Sequence, residues 1–322
     1  MSATAISVDR CSGAKKVRLC AALAEKFDVI TIEPPSFHRL YGEERELKAA
    51  LYVVPTPIGN IADMTLRSVE VLQAVDVIAA EDTRHSRTLL NHYEITTPMV
   101  SFHEHSGESA AMALADRVAQ GQSVALISDA GTPLVSDPGY QLVRAVQSLD
   151  MPIVPLPGPC AAITALSAAG LPTHSFQFVG FLPAKRGGRR ARLETLKSSD
   201  STVILYEAPH RILDLLDDIE HVLGAAREVC IARELTKTFE TVRRDSAADI
   251  RDWVRGDPNQ QRGEFVVMIA AELGKAERVS DEAFNLLRSL SSELPPRKAA
   301  QIVADHYGLK SRDLYQILIS RE

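Results

Sequence analysis

Four short segments gather the residue types from which ligand sites are made. They are Pro55-Thr56-Pro57-Ile58-Gly59-Asn60, Glu81-Asp82-Thr83-Arg84-His85, the run from Ser128 to Gly139 (SDAGTPLVSDPG), and Pro157-Gly158-Pro159-Cys160-Ala161. Glycine and proline bring backbone N–H groups against a ligand, one by lacking a side chain and the other by fixing φ. Gly131, Gly139 and Gly158 are candidates for such close approach, although each taken singly also reads as an ordinary tight turn. The second segment supplies carboxylates, a guanidinium and an imidazole, which is acid–base material.

Each segment follows an apolar run of strand length: Leu51–Val54, Val77–Ala80, Val124–Ile127 and Ile153–Leu156, with Met99–Phe102 a fifth run. Between them lie amphipathic stretches at Leu66–Ala74, Ala110–Ala119 and Tyr140–Ser148, Gly121 being a C-cap for the second. Alternation of this kind predicts an α/β fold with an open, largely parallel sheet covered on both faces. Ligands of such sheets sit beyond the carboxyl ends of the strands. Glycine- and proline-rich loops at several of those ends therefore favour a pocket over a set of plain turns.

A second α/β unit begins after the helix Ala161–Ala169 and the break Gly170-Leu171-Pro172. Its strands read at Gln177–Phe181, Thr202–Tyr206, Val229–Ala232 and Phe265–Ile269, with helices around Leu193 and over Ile212–Val222. A polar gap at Gly274–Ser280 opens a helical tail in which Pro295-Pro296 starts one helix and Gly308 ends it. The predicted division is 49–172, 173–273 and 274–322, preceded by an extension 1–48 that shows neither alternation nor a helical stripe beyond a short helix at Leu19–Phe27.

The 322 residues are 45% hydrophobic and 24% charged with a net charge of −6, which excludes wholesale disorder. No apolar run approaches the roughly 20 residues that cross a bilayer, so no membrane partner is expected. Cys11, Cys20, Cys160 and Cys230 are too far apart for a CxxC pair, and the expected compartment is the cytoplasm, with thiols reduced. GxGxxG opening a helix, GxxxxGK[ST], HExxH and GxSxG are all missing, and His103 and His105 around Glu104 read as one surface and one packed histidine. Hydride, kinase and common hydrolase chemistry lose support, and no metal is expected.

At the same loops the chain resembles a known family. YVVPTPIGN (Tyr52–Asn60), AAEDTRH (Ala79–His85), SDAGTPLVSDPG (Ser128–Gly139), PLPGPCAAITALSAAG (Pro155–Gly170), GFLPAK (Gly180–Lys185), YEAPHR (Tyr206–Arg211) and ARELTKTFE (Ala232–Glu240) look like the ribosomal RNA small subunit methyltransferase I family of the tetrapyrrole methylase superfamily. The resemblance runs in order from Leu51 to about Ala271, and Leu294–Ile319 resembles that family's helix-turn-helix-like tail. It says nothing about residues 1–48. It implies two α/β domains of the tetrapyrrole methylase type with a cofactor cleft between them, S-adenosyl-L-methionine as cofactor, a homodimer, and 2′-O-methylation of a cytidine in 16S rRNA or the small ribosomal subunit. Carried over by position, the cofactor residues are Pro57, Ile58 and Gly59, then Gly131, Thr132, Pro133, Val135 and Ser136, then Cys160 and Ala161, with Tyr206, Ala232 and Glu264 from the second domain. Prolines replace two glycines in the first loop, and Thr132 stands where relatives often carry an acid.

Methyl transfer of this kind is an in-line displacement in which the protein positions the partners and a base helps the hydroxyl lose its proton. Asp82 is the first candidate for base or hydroxyl positioning, with Glu81, Arg84 and His85 beside it. Lys237 is the candidate for electrostatic help, among Glu207, Arg233 and Glu234. These residues also have a structural reading: Glu81 and Asp82 as caps of a following helix, Arg233 and Glu234 as an ion pair. For RNA, Lys185, Arg186, Arg189, Arg190, Arg192 and Lys197 stand against one acid, Glu194, and Gly187-Gly188 suggests a mobile loop there. Arg233, Lys237, Arg243 and Arg244 form a second basic group, and Arg297, Lys298, Lys310 and Arg312 a third in the tail. With 5% aromatic residues, recognition by shape and backbone is expected. Two rival readings are a methylase for a small molecule or protein side chain, and a non-catalytic rRNA-binding assembly factor.

Overall fold

The computed structural model describes residues 47–272, 281–307 and 309–319. The helix expected at 19–27, the polar gap 274–280 and Gly308 lie outside them.

The first sheet holds β1 (Leu51–Val53), β2 (Val77–Ala80), β3 (Met99–Ser101), β4 (Val124–Ile127) and β5 (Ile153–Pro155) in the order β3-β2-β4-β1-β5, every pairing parallel. Successive residues point to opposite faces. Tyr52, Ile78, Ala125 and Ile127 enter one apolar cluster while Leu51, Val77, Val124 and Leu126 enter another. Both faces are therefore buried, which is why these strands read as unbroken apolar runs. The covering helices are α1 (Leu66–Ala74), α2 (Thr83–His92), α3 (Gly107–Ala119) and α4 (Tyr140–Ser148). Because all five strands run the same way, their carboxyl ends share one edge, and the four segments singled out by composition are gathered there.

After α5 (Ala161–Ala168) comes a second sheet. It comprises β6 (Phe176–Phe181), β7 (Thr202–Glu207), β8 (Glu228–Arg233), β9 (Thr241–Ser246) and β10 (Phe265–Ile269) in the order β6-β7-β10-β8-β9. Only β6 and β7 are parallel; the other pairings are antiparallel. One face packs Val203, Leu205, Ile231 and Val267 against α6 (Arg186–Leu196), α7 (Ile212–Leu223) and α8 (Ala247–Gly256). The opposite face packs Ile204, Cys230, Val266 and Met268 against Ala162, Ala165 and Leu166 of α5, together with Ile58 from the loop after β1. The second sheet is thus capped by material from the first, which makes the cleft.

Two elements escape a reading by composition. β9 is an edge strand, and its Arg243-Arg244-Asp245 core hides its period because much of each residue faces solvent. α8 follows at once, capped by Ser246 Oγ accepting from the Asp249 N–H at 3.2 Å. One expectation is corrected: Gly187 and Gly188 lie in the first turn of α6 and not in a loop. The tail contains α9 (Asp281–Glu293), α10 (Pro296–Tyr307) and α11 (Ser311–Ile319), closed around Leu287, Ala300, Val303 and Leu314.

Candidate functional site

The loops at the strand ends are tied to one another. Thr56 and Gly131 exchange both backbone hydrogen bonds at 2.9 Å, Thr56 Oγ1 donates to Ser128 O at 3.0 Å, and Thr132 Oγ1 donates to Pro159 O at 2.8 Å. Held in this way, the loop after β4 carries Leu134 at φ 73° and Ser136 at φ 66°. Left-handed backbone at non-glycine residues costs on the order of 1 kcal/mol or more and persists where surroundings enforce it. Gly139 closes the loop at φ 134°, where an added Cβ would sit 2.8 Å from Leu126 Cδ2.

Between these loops and the second sheet lies a cavity of about 330 Å³, within the range of small-molecule sites. Ile58 lines it from the first loop, Gly131, Thr132, Val135 and Ser136 from the second, and Cys160 and Ala161 from the third. Tyr206, Ala232 and Glu264 complete it from the second sheet. The walls also include Asp137, Phe181, Glu207, Leu235 and Val266, of which only Glu207 was picked out by sequence. Three expected cofactor residues stand elsewhere. Pro57 and the buried Pro133 do not line it, and Gly59 is pressed against the second lobe, where a Cβ would meet Lys237 Cγ at 2.5 Å.

Two polar residues stand side by side at the end of β7. Tyr206 Oη accepts from the Ala162 N–H at 3.1 Å, and burial pushes its phenol far above the ordinary range. Glu207 is 3% exposed, with Oε1 3.1 Å from Arg211 Nε and accepting from Ala208 N–H, while Oε2 has no hydrogen-bond partner among the described residues. Burial, against the pull of Ala208 N–H and Arg211, raises its carboxyl above the usual range. Alternation along β7 puts the Glu207 side chain on the helix-covered face with Val203 and Leu205, where Arg211 and Arg189 bear on it, while Tyr206 faces the cavity.

A second cavity of about 370 Å³ adjoins the first. Its walls include Glu81, Phe102, His103, Glu104 and Tyr140. Ser136 and Asp137 line both. Burial first, then the charges of Glu81 and Asp129, raise the Asp137 carboxyl to about 7 against an opposing hydrogen bond from Ser128. Burial likewise raises Glu81, although the Asp129 N–H opposes it.

Asp82 is placed differently. Its carboxylate accepts from the Arg84 and His85 N–H groups at 2.8 and 3.4 Å and stands 3.6 Å from Arg84 Nε, which keeps it below the usual range. It caps α2 and lines neither cavity. Arg84 points to solvent, its side chain 92% exposed. Lys237 also lines neither: its Nζ donates to Glu234 Oε1 and Glu264 Oε2, each at 3.0 Å, bracing the loop that covers Gly59.

Residues 50–251 match the family described as Tetrapyrrole (Corrin/Porphyrin) Methylases, and residues 277–322 match the RsmI C-terminal HTH domain. The chain is 50% identical over 275 residues to ribosomal RNA small subunit methyltransferase I of Pseudomonas aeruginosa, covering 84% of this chain and 97% of that one. The corresponding protein of Escherichia coli O157:H7 is 48% identical over 272 residues, with 84% and 95% covered. The chain belongs to the ribosomal RNA small subunit methyltransferase I family. Its fold is shared with uroporphyrin-III-C-methyltransferase of Thermus thermophilus (TM-score 0.50, 20% identity, 72% of this chain and 98% of that one). Diphthine synthase shares it too (TM-score 0.52, 12% identity, 69% and 90% covered).

In this member of the family, several basic residues expected at RNA are structural. Arg189 is 2% exposed, and its Nε and Nη2 both lie 2.7 Å from Asp218 Oδ2. Arg186 and Arg190 reach Asp218 Oδ1 at 3.2 and 2.6 Å. Burial alone would raise the Asp218 carboxyl, but the three guanidinium groups hold it below the usual range. Arg233 is 6% exposed and donates to Arg262 O, Phe239 O and Thr241 Oγ1, and not to Glu234. Arg189 and Arg233 are therefore removed from any phosphate, because both side chains are buried. Arg243 stacks 4.9 Å over Trp253 and pairs with Asp245 at 3.4 Å. Lys185 stays exposed, as do Arg297, Lys298, Lys310 and Arg312 of the tail.

Proposed function

We propose that this chain transfers a methyl group from S-adenosyl-L-methionine to the 2′-hydroxyl of a cytidine ribose in 16S rRNA of the small ribosomal subunit. The observation that carries the reading is the first cavity: apolar walls at the joined strand ends, closed on the far side by Tyr206 bonded to the start of α5. Those residues fit the cofactor. Ile58, Ala232, Leu235 and Val266 offer its adenosine an apolar slot, and the Gly131–Ser136 loop short polar contacts to the amino-acid end. Cys160 and Ala161 leave room beside them for the sulfur. When bound, the cofactor supplies a methyl group on an electrophilic sulfonium.

The chain's own part is positioning and exclusion of water. The tied loops fix one side of the cleft, and Tyr206, bonded to the start of α5, fixes the other. RNA is held by exposed cations: Lys185, the solvent-facing part of Arg186, and Arg297, Lys298, Lys310 and Arg312 of the tail. The division into 49–172, 173–273 and 274–322, a homodimer, and residence in the cytoplasm belong to the same proposal. The separate apolar clusters of the two sheets and the tail support the division. No helix among the described residues is long and apolar enough to cross a membrane.

The test is transfer of labelled methyl from S-adenosyl-L-methionine to small ribosomal subunits or their 16S rRNA. Label retained at a cytidine whose 3′ linkage resists alkali identifies the 2′-oxygen. Label only in small molecules or protein, or binding without transfer, overturns the reading.

A further inference from the structure

The second cavity lies beside the proposed cofactor slot, and Asp137 stands where the two meet. Among the described residues, Asp137 is the only carboxylate that lines both: Glu207 and Glu264 reach only the first, Glu81 and Glu104 only the second, and Asp82 neither. Asp137 is held there by the backbone, since Ser136 before it is left-handed at φ 66° and Gly139 beyond it admits no side chain. Across the cleft, the place of an added Gly180 Cβ is 3.1 Å from Ser136 Oγ, so the second lobe backs the same turn.

We propose that Asp137 takes the proton from the acceptor hydroxyl, the second cavity being where the acceptor nucleoside enters. This rests on the methyl-transfer reading above. The step balances as follows. The hydroxyl O–H bond breaks, with its proton passing to the Asp137 carboxylate. The oxygen forms the new C–O bond with its own electron pair, while the pair of the broken C–S bond stays on sulfur. The cationic donor and the anionic Asp137 leave as neutral species, so no charge is stranded in the cleft. Asp137 then returns its proton to water through the second cavity.

The walls agree with this assignment. Glu81, Glu104 and Asp137 make the second cavity acidic, a poor place for a phosphate and a good one for a nucleoside carrying hydroxyl and amino donors. Tyr140, 65% exposed on its wall, offers a ring face to a base turned out of its stack. The groups facing Asp137 are Glu81 at the end of β2, Ser128 and Asp129 at the end of β4, and Tyr206 of β7. His103 and Glu104 beyond β3 stand on the wall of the second cavity. With a carboxyl near 7, Asp137 is matched to proton transfer at neutral pH.

The test uses the full-length protein and two readouts. Calorimetric titrations at pH 7 in buffers of different ionisation heat count protons released on binding. A sulfonium beside a half-protonated carboxyl lowers its pKa, so S-adenosyl-L-methionine should release about half a proton and neutral S-adenosyl-L-homocysteine far less. Asp137→Asn should abolish the difference and lower kcat on small-subunit RNA at least about 100-fold. Its affinity for S-adenosyl-L-homocysteine should stay within about twofold. Glu81→Gln removes a charge that helps hold the Asp137 carboxyl up, so it should shrink the proton difference without abolishing it and lose less than about tenfold in rate. If Asp137→Asn does not fold, the wild-type comparison of the two ligands together with Glu81→Gln still decides. Equal proton counts for both ligands in the wild type, or an Asp137→Asn enzyme within about threefold of wild-type kcat, overturn the assignment of Asp137. Absence of transfer by the wild type overturns the function reading instead, and the assignment falls with it.

Discussion

Two aspartates define opposite uses of charge in this molecule. Asp218, on α7, is fully buried and meets three guanidinium groups. Asp137, at the carboxyl edge of the first sheet, is half-buried and meets Glu81, Asp129 and a phenol. The first environment neutralises a buried anion and so holds its carboxyl low, while the second withholds cations and so raises it. A buried carboxylate with its counter-ions serves the fold; one left among other acids at a cavity junction is available for chemistry.

The sharpest way to break this contrast is to remove each acid and compare the consequences. Asp218→Asn leaves three arginines without their shared partner, and should cost about 3–5 kcal/mol in urea denaturation. Asp218 is held low, so its contribution is present above the unfolded carboxyl range and is lost as pH falls through its folded value. Asp137→Asn should act in the other direction. A folded carboxyl near 7 means that wild-type stability declines as pH rises from about 4 to about 7. The variant should therefore become more stable than wild type over that window, levelling off above it at about 1 kcal/mol once solvent screening is allowed for. Thermal melts at pH 5 and pH 8 check the sign, and a destabilised variant at pH 8 would erase the contrast.

The same contrast explains how much could be read from residue order. The first sheet is legible because both its faces are buried, so its strands are uninterrupted apolar runs, and the loops after them announce a ligand edge through Gly and Pro. The edge strand β9 was not, since Arg243, Arg244 and Asp245 on an exposed margin carry no apolar period. Asp137 was hidden because Asp-Pro-Gly reads as a turn; its environment is assembled from Glu81 just beyond β2 and Asp129 at the start of its own loop. Arg189 was hidden for the converse reason. A run of arginines reads as a solvated or RNA-facing surface, and only the fold brings Asp218 beneath it.

Smaller effects sharpen the picture at the periphery. Lys185→Ala should weaken binding to small-subunit RNA a few-fold and reduce the slope of log affinity against log salt by about 0.7–0.9, with unfolding free energy unchanged within about 0.5 kcal/mol. Arg189→Met should instead show its defect in stability. Asp82→Ala removes a helix cap at an exposed position, so a small fall in melting temperature and less than about a tenfold loss of rate are expected. A loss as large as that of Asp137→Asn would transfer the proton-accepting role to Asp82.

The central claim, that the cleft between the two sheets holds the methyl donor, is tested most directly by calorimetric titration of wild type and Ala161→Trp with S-adenosyl-L-homocysteine. Ala161 opens α5 on the cavity wall, so a bulky ring there occupies the proposed slot while leaving the sheets intact. The account predicts saturable one-to-one binding by wild type and at least about a tenfold loss in a variant that melts like wild type. No heat with wild type, or equal affinity in the filled-cavity variant, would contradict it.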